Sequence, residues 1–154
     1  METLNALLEQ AEAERNQALS TFNLARARCD AARTQGAQLD AYRADYQQRW
    51  AAQFAQGAAL EIVRCYQGFA DRLQTAISQQ AQAVTQAAAA MARAGDNLSA
   101  HELRVASVRK LIERREQALR QASERREQKI DDENATRMAS TRRRSGSRIH
   151  GVPP

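Results

Sequence analysis

The residues able to do covalent or metal chemistry are few in this chain, and they are scattered. The cysteines are Cys29 and Cys65, and the histidines are His101 and His150. No two of the four share a metal-ligand spacing. No serine, cysteine or histidine has a plausible base beside it, and no glycine-rich phosphate loop is present. No catalytic residue, cofactor site or metal ligand is therefore assigned, and the expectation is a protein that is not an enzyme. What the sequence offers instead is recognition chemistry. One stretch is rich in aromatics: Tyr42, Tyr46 and Trp50, then Tyr66 and Phe69. Another is rich in arginine: Arg114, Arg115, Arg125 and Arg126, then Arg137, Arg142, Arg143, Arg144 and Arg148. Grouped exposed aromatics act as binding hot spots, and arginine runs meet acidic surfaces.

The elements that position these residues follow from composition and period. The 154 residues carry a formal charge of +5, with 43% apolar, 27% charged and only 5% aromatic residues. That length suits one domain, and the composition is not a disordered one. Alanine, glutamine and arginine dominate, all good helix formers. The two prolines are Pro153 and Pro154, so nothing before them forces a turn. No apolar run approaches the roughly 18 residues of a membrane span. Met1-Glu2-Thr3-Leu4 does not begin a secretory signal. A reduced, cytosolic setting with two unpaired thiols is the simple expectation.

Stepping by alternate fours and threes from Leu4 meets Leu8, Ala11, Arg15, Ala18, Phe22, Ala25, Cys29, Ala32, Gly36, Leu39, Arg43, Tyr46 and Trp50. Only Arg15, Gly36 and Arg43 break the apolar series. The same steps from Tyr66 meet Ala70, Leu73, Ile77, Gln80, Val84, Ala87, Met91, Ala94, Leu98, His101, Val105, Val108 and Ile112. Here only Gln80 and His101 are polar. A repeat of 3.5 residues sustained this far specifies a coiled coil. Gly57, in Gln56-Gly57-Ala58-Ala59, is the break between the two series.

Folding the chain back at Gly57 makes the series mutual. Trp50 faces Tyr66, Tyr46 faces Ala70, Leu39 faces Ile77, Ala32 faces Val84, Ala25 faces Met91, Ala18 faces Leu98, Ala11 faces Val105 and Leu4 faces Ile112. The polar and small breaks meet as well, Gly36 with Gln80 and Arg15 with His101. The expected fold is all-α: an antiparallel two-helix coiled-coil hairpin over residues 1–135, turning near 56–60, roughly 80 Å along its shared part at about 1.5 Å per residue. In that register the thiols lie too far apart for a disulfide. The second helix is the longer one, continuing through charged residues with Leu119, Ala122 and Ile130 as scattered apolar positions. Ala94-Gly95-Asp96-Asn97-Leu98-Ser99 is a weak stretch, expected to soften or bend the helix without turning it, against a rival three-helix reading. Residues 136–154 are expected to form a basic, mobile tail.

The aromatic stretch is also the most family-specific part of the chain. Leu39-Asp40-Ala41-Tyr42-Arg43-Ala44-Asp45-Tyr46, the glycine-centred break, then Cys65-Tyr66-Gln67-Gly68-Phe69-Ala70-Asp71-Arg72-Leu73-Gln74-Thr75-Ala76-Ile77 resembles the FliJ family of flagellar type III export proteins. Leu4 to Ala18, with Ala11-Glu12-Ala13-Glu14-Arg15, and Lys129-Ile130-Asp131-Asp132-Glu133 are similar to it too. The resemblance implies a coiled-coil stalk that binds the hexameric export ATPase, contacts the cytoplasmic part of the export gate and handles export chaperones. It implies a cytoplasmic location, peripheral to the inner membrane at the flagellar base. It also implies an export-gate patch at Gln35, Leu39, Tyr42, Tyr46, Phe69, Leu73, Ala76 and Gln80, where the family can carry a histidine at the last position.

The register puts Gln35 level with Gln80, Leu39 with Ala76, Tyr42 with Leu73 and Tyr46 with Phe69. Tyr42 and Phe69 lie outside the seam and should be partly exposed, whereas Leu39, Tyr46 and Leu73 are core first. For the ATPase pore, Arg114, Arg115, Leu119, Arg125 and Arg126 are the candidates, with a merely solvated helix as the competing reading. An equivalent stalk of a virulence injectisome is the second reading of the chain. A basic coiled-coil binder of nucleic acid or membrane is the third. Specific nucleic-acid binding is not expected, since the arginine run has no interleaved aromatics or reader motif.

Overall fold

The computed structural model describes residues 1–149. Two helices account for nearly all of them: α1, Glu2–Ala55, and α2, Leu60–Ile149, with no strand among the described residues. The helices extend because nothing stops them. No proline interrupts either one, and each residue added to an existing helix brings a hydrogen bond without a new nucleation cost.

The turn is built on one glycine. Gly57 has φ of 91°, a conformation that costs an L-residue about 1–2 kcal/mol. Its amide donates to the Phe54 carbonyl at 3.0 Å, and the Gln56 amide donates to the Gln53 carbonyl at 3.1 Å, which closes the end of α1. Past the turn, the Ile62 and Val63 amides donate to the Ala59 carbonyl at 3.1 and 3.2 Å, opening α2.

The chain divides into two compact units, Glu9–Val105 and Met1–Leu8 with the chain from Ala106 on. In the first unit the helices form the expected hairpin, in the expected register. Trp50 and Tyr66 meet at 5.5 Å between ring centroids, tilted by 49°. A Cβ built on Gly36 would lie 3.7 Å from Gln80 Cγ. Ala11 and Val105 are each 2% exposed. Every seam position from Ala11 to Trp50 and from Tyr66 to Val105 is buried or half-buried. In the second unit Leu4, Leu8 and Ile112 are half-buried and Val108 is buried. From Glu113 to Gly146 every residue is exposed.

Polar seam positions have specific partners. Gln80 Nε2 donates to the Ala32 carbonyl at 2.9 Å across the hairpin. That bond satisfies a half-buried amide and fixes the register, since a slipped seam would strand it. At the level where Arg15 meets His101, the histidine ring lies 3.8 Å from Glu14 Oε2, and Arg104 reaches the same oxygen at 3.5 Å. Arg15 instead turns its guanidinium to Asn16 Oδ1, at 3.3 and 3.1 Å, and the neighbouring carboxylate takes the seam partner.

The weak stretch at Gly95 makes no turn, and α2 runs through it, so the three-helix reading fails. A Cβ at Gly95 would meet Phe22 Cε2 at 3.4 Å, ordinary contact distance. The glycine therefore gives the Phe22 ring room without being strictly required. Gly95→Ala is expected to stabilise the protein by about 1 kcal/mol through helix propensity. Gly57→Ala is expected to destabilise it by about 1–2 kcal/mol. Urea midpoints of the two variants check both signs.

Residue 136 is not a helix boundary. The change in composition there leaves α2 intact to Ile149, because arginine, alanine and methionine are good helix formers. The Thr136 and Thr141 hydroxyls donate back to the Asp132 and Arg137 carbonyls, each at 2.9 Å. Residues 150–154 of the expected tail lie outside the described residues.

Candidate functional site

The helix period sets which aromatics can meet. Tyr42, Tyr46, Trp50 and Phe54 follow one another at intervals of four along α1, so their rings rise along one side of it. Tyr66 and Phe69 bring two more from α2. The result is a continuous ring network. Tyr46 is its hub, 4.5 Å from Phe69, 5.5 Å from Tyr66, 6.0 Å from Trp50 and 6.3 Å from Tyr42. Tyr42 meets Phe69 edge-on at 6.2 Å. Phe54 closes the network toward the turn, 5.3 Å from Trp50 and 5.2 Å from Tyr66. Each such pair adds about 0.5–1.5 kcal/mol beyond area burial. The outer rings are thus held by an inner set, and a partner meets a rigid surface.

The eight expected gate-patch residues all fall on this hairpin but differ in what they offer a partner. Tyr42 is 49% exposed, and Leu73 only 7%. Gln35 is exposed, while Leu39, Tyr46, Phe69, Ala76 and Gln80 are half-buried. Gln80 already gives its amide to Ala32. Tyr42 and Gln35 are the outward groups, and Phe69 shows part of its ring beside Tyr42. Leu73 belongs to the seam and supports the surface from below.

The sequence reading missed a polar clasp at the same place. Arg43 Nη1 donates to Gln74 Oε1 at 2.8 Å across the hairpin, and the same guanidinium lies 3.9 Å from Asp40 Oδ1. Its signal was Arg43 as a polar interruption of the seam, directly beside Tyr42. Farther along the hairpin, a shallow depression of about 370 Å³ lies over Gly36, Ala37, Ile77, Ala81 and Val84, with Arg33 and Asp40 at its rim. Small side chains opposite one another leave this dent. It would suit a partner's apolar side chain, with the arginine and aspartate at the edge to set orientation.

The second candidate surface is on α2. Arg114, Arg115, Leu119, Arg125 and Arg126 are all exposed, with Leu119 at 53%. Leu119 and Ile130 stand eleven residues apart, close to three full helical turns, so they share a face. Ile130 is 55% exposed. This stretch presents isolated apolar side chains among guanidinium groups, a surface suited to an acidic, partly apolar partner.

The described residues hold no helix long and apolar enough to cross a membrane. They hold no cluster of histidine, cysteine or acidic residues able to bind a metal. Cys29 is fully buried and Cys65 exposed, and both thiols are free. No curated protein matches the chain, and no solved structure does. Residues 1–144 match the family model described as flagellar FliJ protein, which spans both helices and the aromatic hairpin, and the chain belongs to the FliJ family.

Proposed function

We propose that this protein is a non-enzymatic stalk of the flagellar type III protein export apparatus, linking the hexameric export ATPase to the export gate. The observation that carries the reading is the family match over residues 1–144, on a hairpin with an exposed aromatic patch. The family is flagellar by description, which favours the flagellum over a virulence injectisome. The gate surface is centred on Tyr42 and Phe69, flanked by Gln35, Leu39, Tyr46, Ala76 and Gln80, with Leu73 beneath. The ATPase surface is the α2 stretch Arg114, Arg115, Leu119, Arg125 and Arg126, meeting acidic groups in the ring. Export chaperones are further partners. The protein works in the cytoplasm, peripheral to the inner membrane through these contacts, and needs no cofactor.

A pull-down with the cell's own export ATPase and the cytoplasmic domain of its gate protein tests the reading. The intact chain is expected to capture both. Reversing charge at Arg114, Arg115, Arg125 and Arg126 should release the ATPase at least tenfold more readily and leave the gate bound. Failure of the intact chain to hold the ATPase would sink the proposal. Loss of ATPase binding on removing the aromatics, with the charge-reversed chain still binding, would exchange the two surfaces.

A further inference from the structure

We propose that the arginine-rich end of α2 is a docking surface for an anionic phospholipid bilayer, independent of the stalk function. The argument starts from charge order. Asp131, Asp132 and Glu133 are the last acidic residues in the chain. After them come Arg137, Arg142, Arg143, Arg144 and Arg148, with no carboxylate side chain between or beyond. From Arg137 to Gly146 every residue is exposed.

Helix geometry decides whether the acids neutralise these arginines. Arg137 stands one turn from Glu133, within reach of its charge. Arg142 is nine residues from Glu133, roughly 13 Å along the axis. The screening length at physiological salt is about 8 Å. Arg142, Arg143 and Arg144 therefore keep their field. Being consecutive in a helix, they fan around it at about 100° steps and form a collar of charge instead of one face. Charge spread over roughly 200° of the circumference meets an anionic plane over most rotations of the helix.

Side-chain chemistry favours the bilayer. Sequence-tolerant binding of single strands uses aromatic platforms, and no aromatic residue occurs from Ala135 to Ile149. The segment has instead Met138, 67% exposed in a basic helix. A flexible apolar side chain of this kind can enter the headgroup region while the guanidinium groups hold lipid phosphates. Near an anionic bilayer each such arginine contributes about 1 kcal/mol of attraction.

The test is sedimentation of the full chain with phosphatidylcholine vesicles and with vesicles containing roughly one-third phosphatidylglycerol. Binding is expected only to the anionic vesicles, falling steeply as salt rises. Arg142→Gln, Arg143→Gln and Arg144→Gln together should lower the partition coefficient roughly hundredfold, at about fivefold for each charge. Glutamine is a good helix former, and far-UV circular dichroism verifies that the variant stays folded. No binding of the intact chain to anionic vesicles at low salt would overturn the proposal, as would undiminished binding by the triple variant. Tighter, arginine-dependent binding to duplex DNA than to the vesicles would also overturn it and assign the collar to nucleic acid.

Discussion

Alanine at both Tyr42 and Phe69 is expected to weaken binding to the cytoplasmic domain of the export gate by at least about a hundredfold. Hot-spot aromatics cost about 2 kcal/mol or more each when truncated, and because such costs are not additive the pair is counted at about 2.7 kcal/mol, below the sum of the two. The geometry favours a large effect because the pair is pre-positioned. Phe69 is fixed at 4.5 Å by Tyr46, and Tyr42 leans edge-on against Phe69. Little conformational entropy remains to be lost when a partner arrives. The same geometry limits damage to the fold, since Tyr46, Trp50, Phe54 and Tyr66 still contact one another in the variant. Titration calorimetry with the gate domain, beside a thermal melt, separates the two effects. A variant that melts like the parent and binds the gate equally well would remove these rings from the contact.

Leu73→Ala is expected to cost about 2–4 kcal/mol, the largest loss among truncations of the buried side chains. Among the described residues Leu73 is the bulkiest of the buried side chains, the others being alanine, cysteine or valine. Removing it leaves a cavity in a two-layer structure that has little other material to collapse into it. A urea titration reads the result as a lower midpoint with an unchanged slope. The resemblance to the FliJ family placed Leu73 in the gate patch, so a supporting role must be separated from a contact. Leu73→Met conserves volume and should cost less than about 1.5 kcal/mol. If Leu73 acts only from beneath, the methionine variant binds the gate like the parent. A folded methionine variant with impaired binding would make Leu73 a direct contact.

The seam was legible because a 3.5-residue period leaves a mark on every turn. Small seam residues such as Ala11 and Ala18 are readable only through that period, since nothing in an isolated alanine announces burial. The turn was legible because Gly57 is the break between two long series. The ion pairing of His101 was not legible, since a heptad count assigns positions and not the reach of side chains. Glu14 stands one residue from the seam, yet its carboxylate reaches His101 and Arg104. Phe54 was invisible to the seam count, which ended at Trp50, although its ring completes the aromatic network. The helix after residue 136 was missed for a different reason. Periodicity detects helices that bury a face, and Thr136–Gly146 buries none. Of the patch, the outward position of Tyr42 and the support from Leu73 followed from register. The Arg43–Gln74 clasp did not, because it joins two residues that a hydrophobic pattern ignores.

The contrast between the two thiols gives the hairpin an internal clock. Cys29 is sealed at 0% exposure inside the seam, while Cys65 stands in solvent near the turn. An alkylating reagent meets Cys65 at once and Cys29 only when α1 and α2 part. The second labelling step therefore counts opening events of the hairpin, and its rate in denaturant distinguishes local fraying from global unfolding. With a partner bound, the same step reports how firmly that partner holds the two helices together.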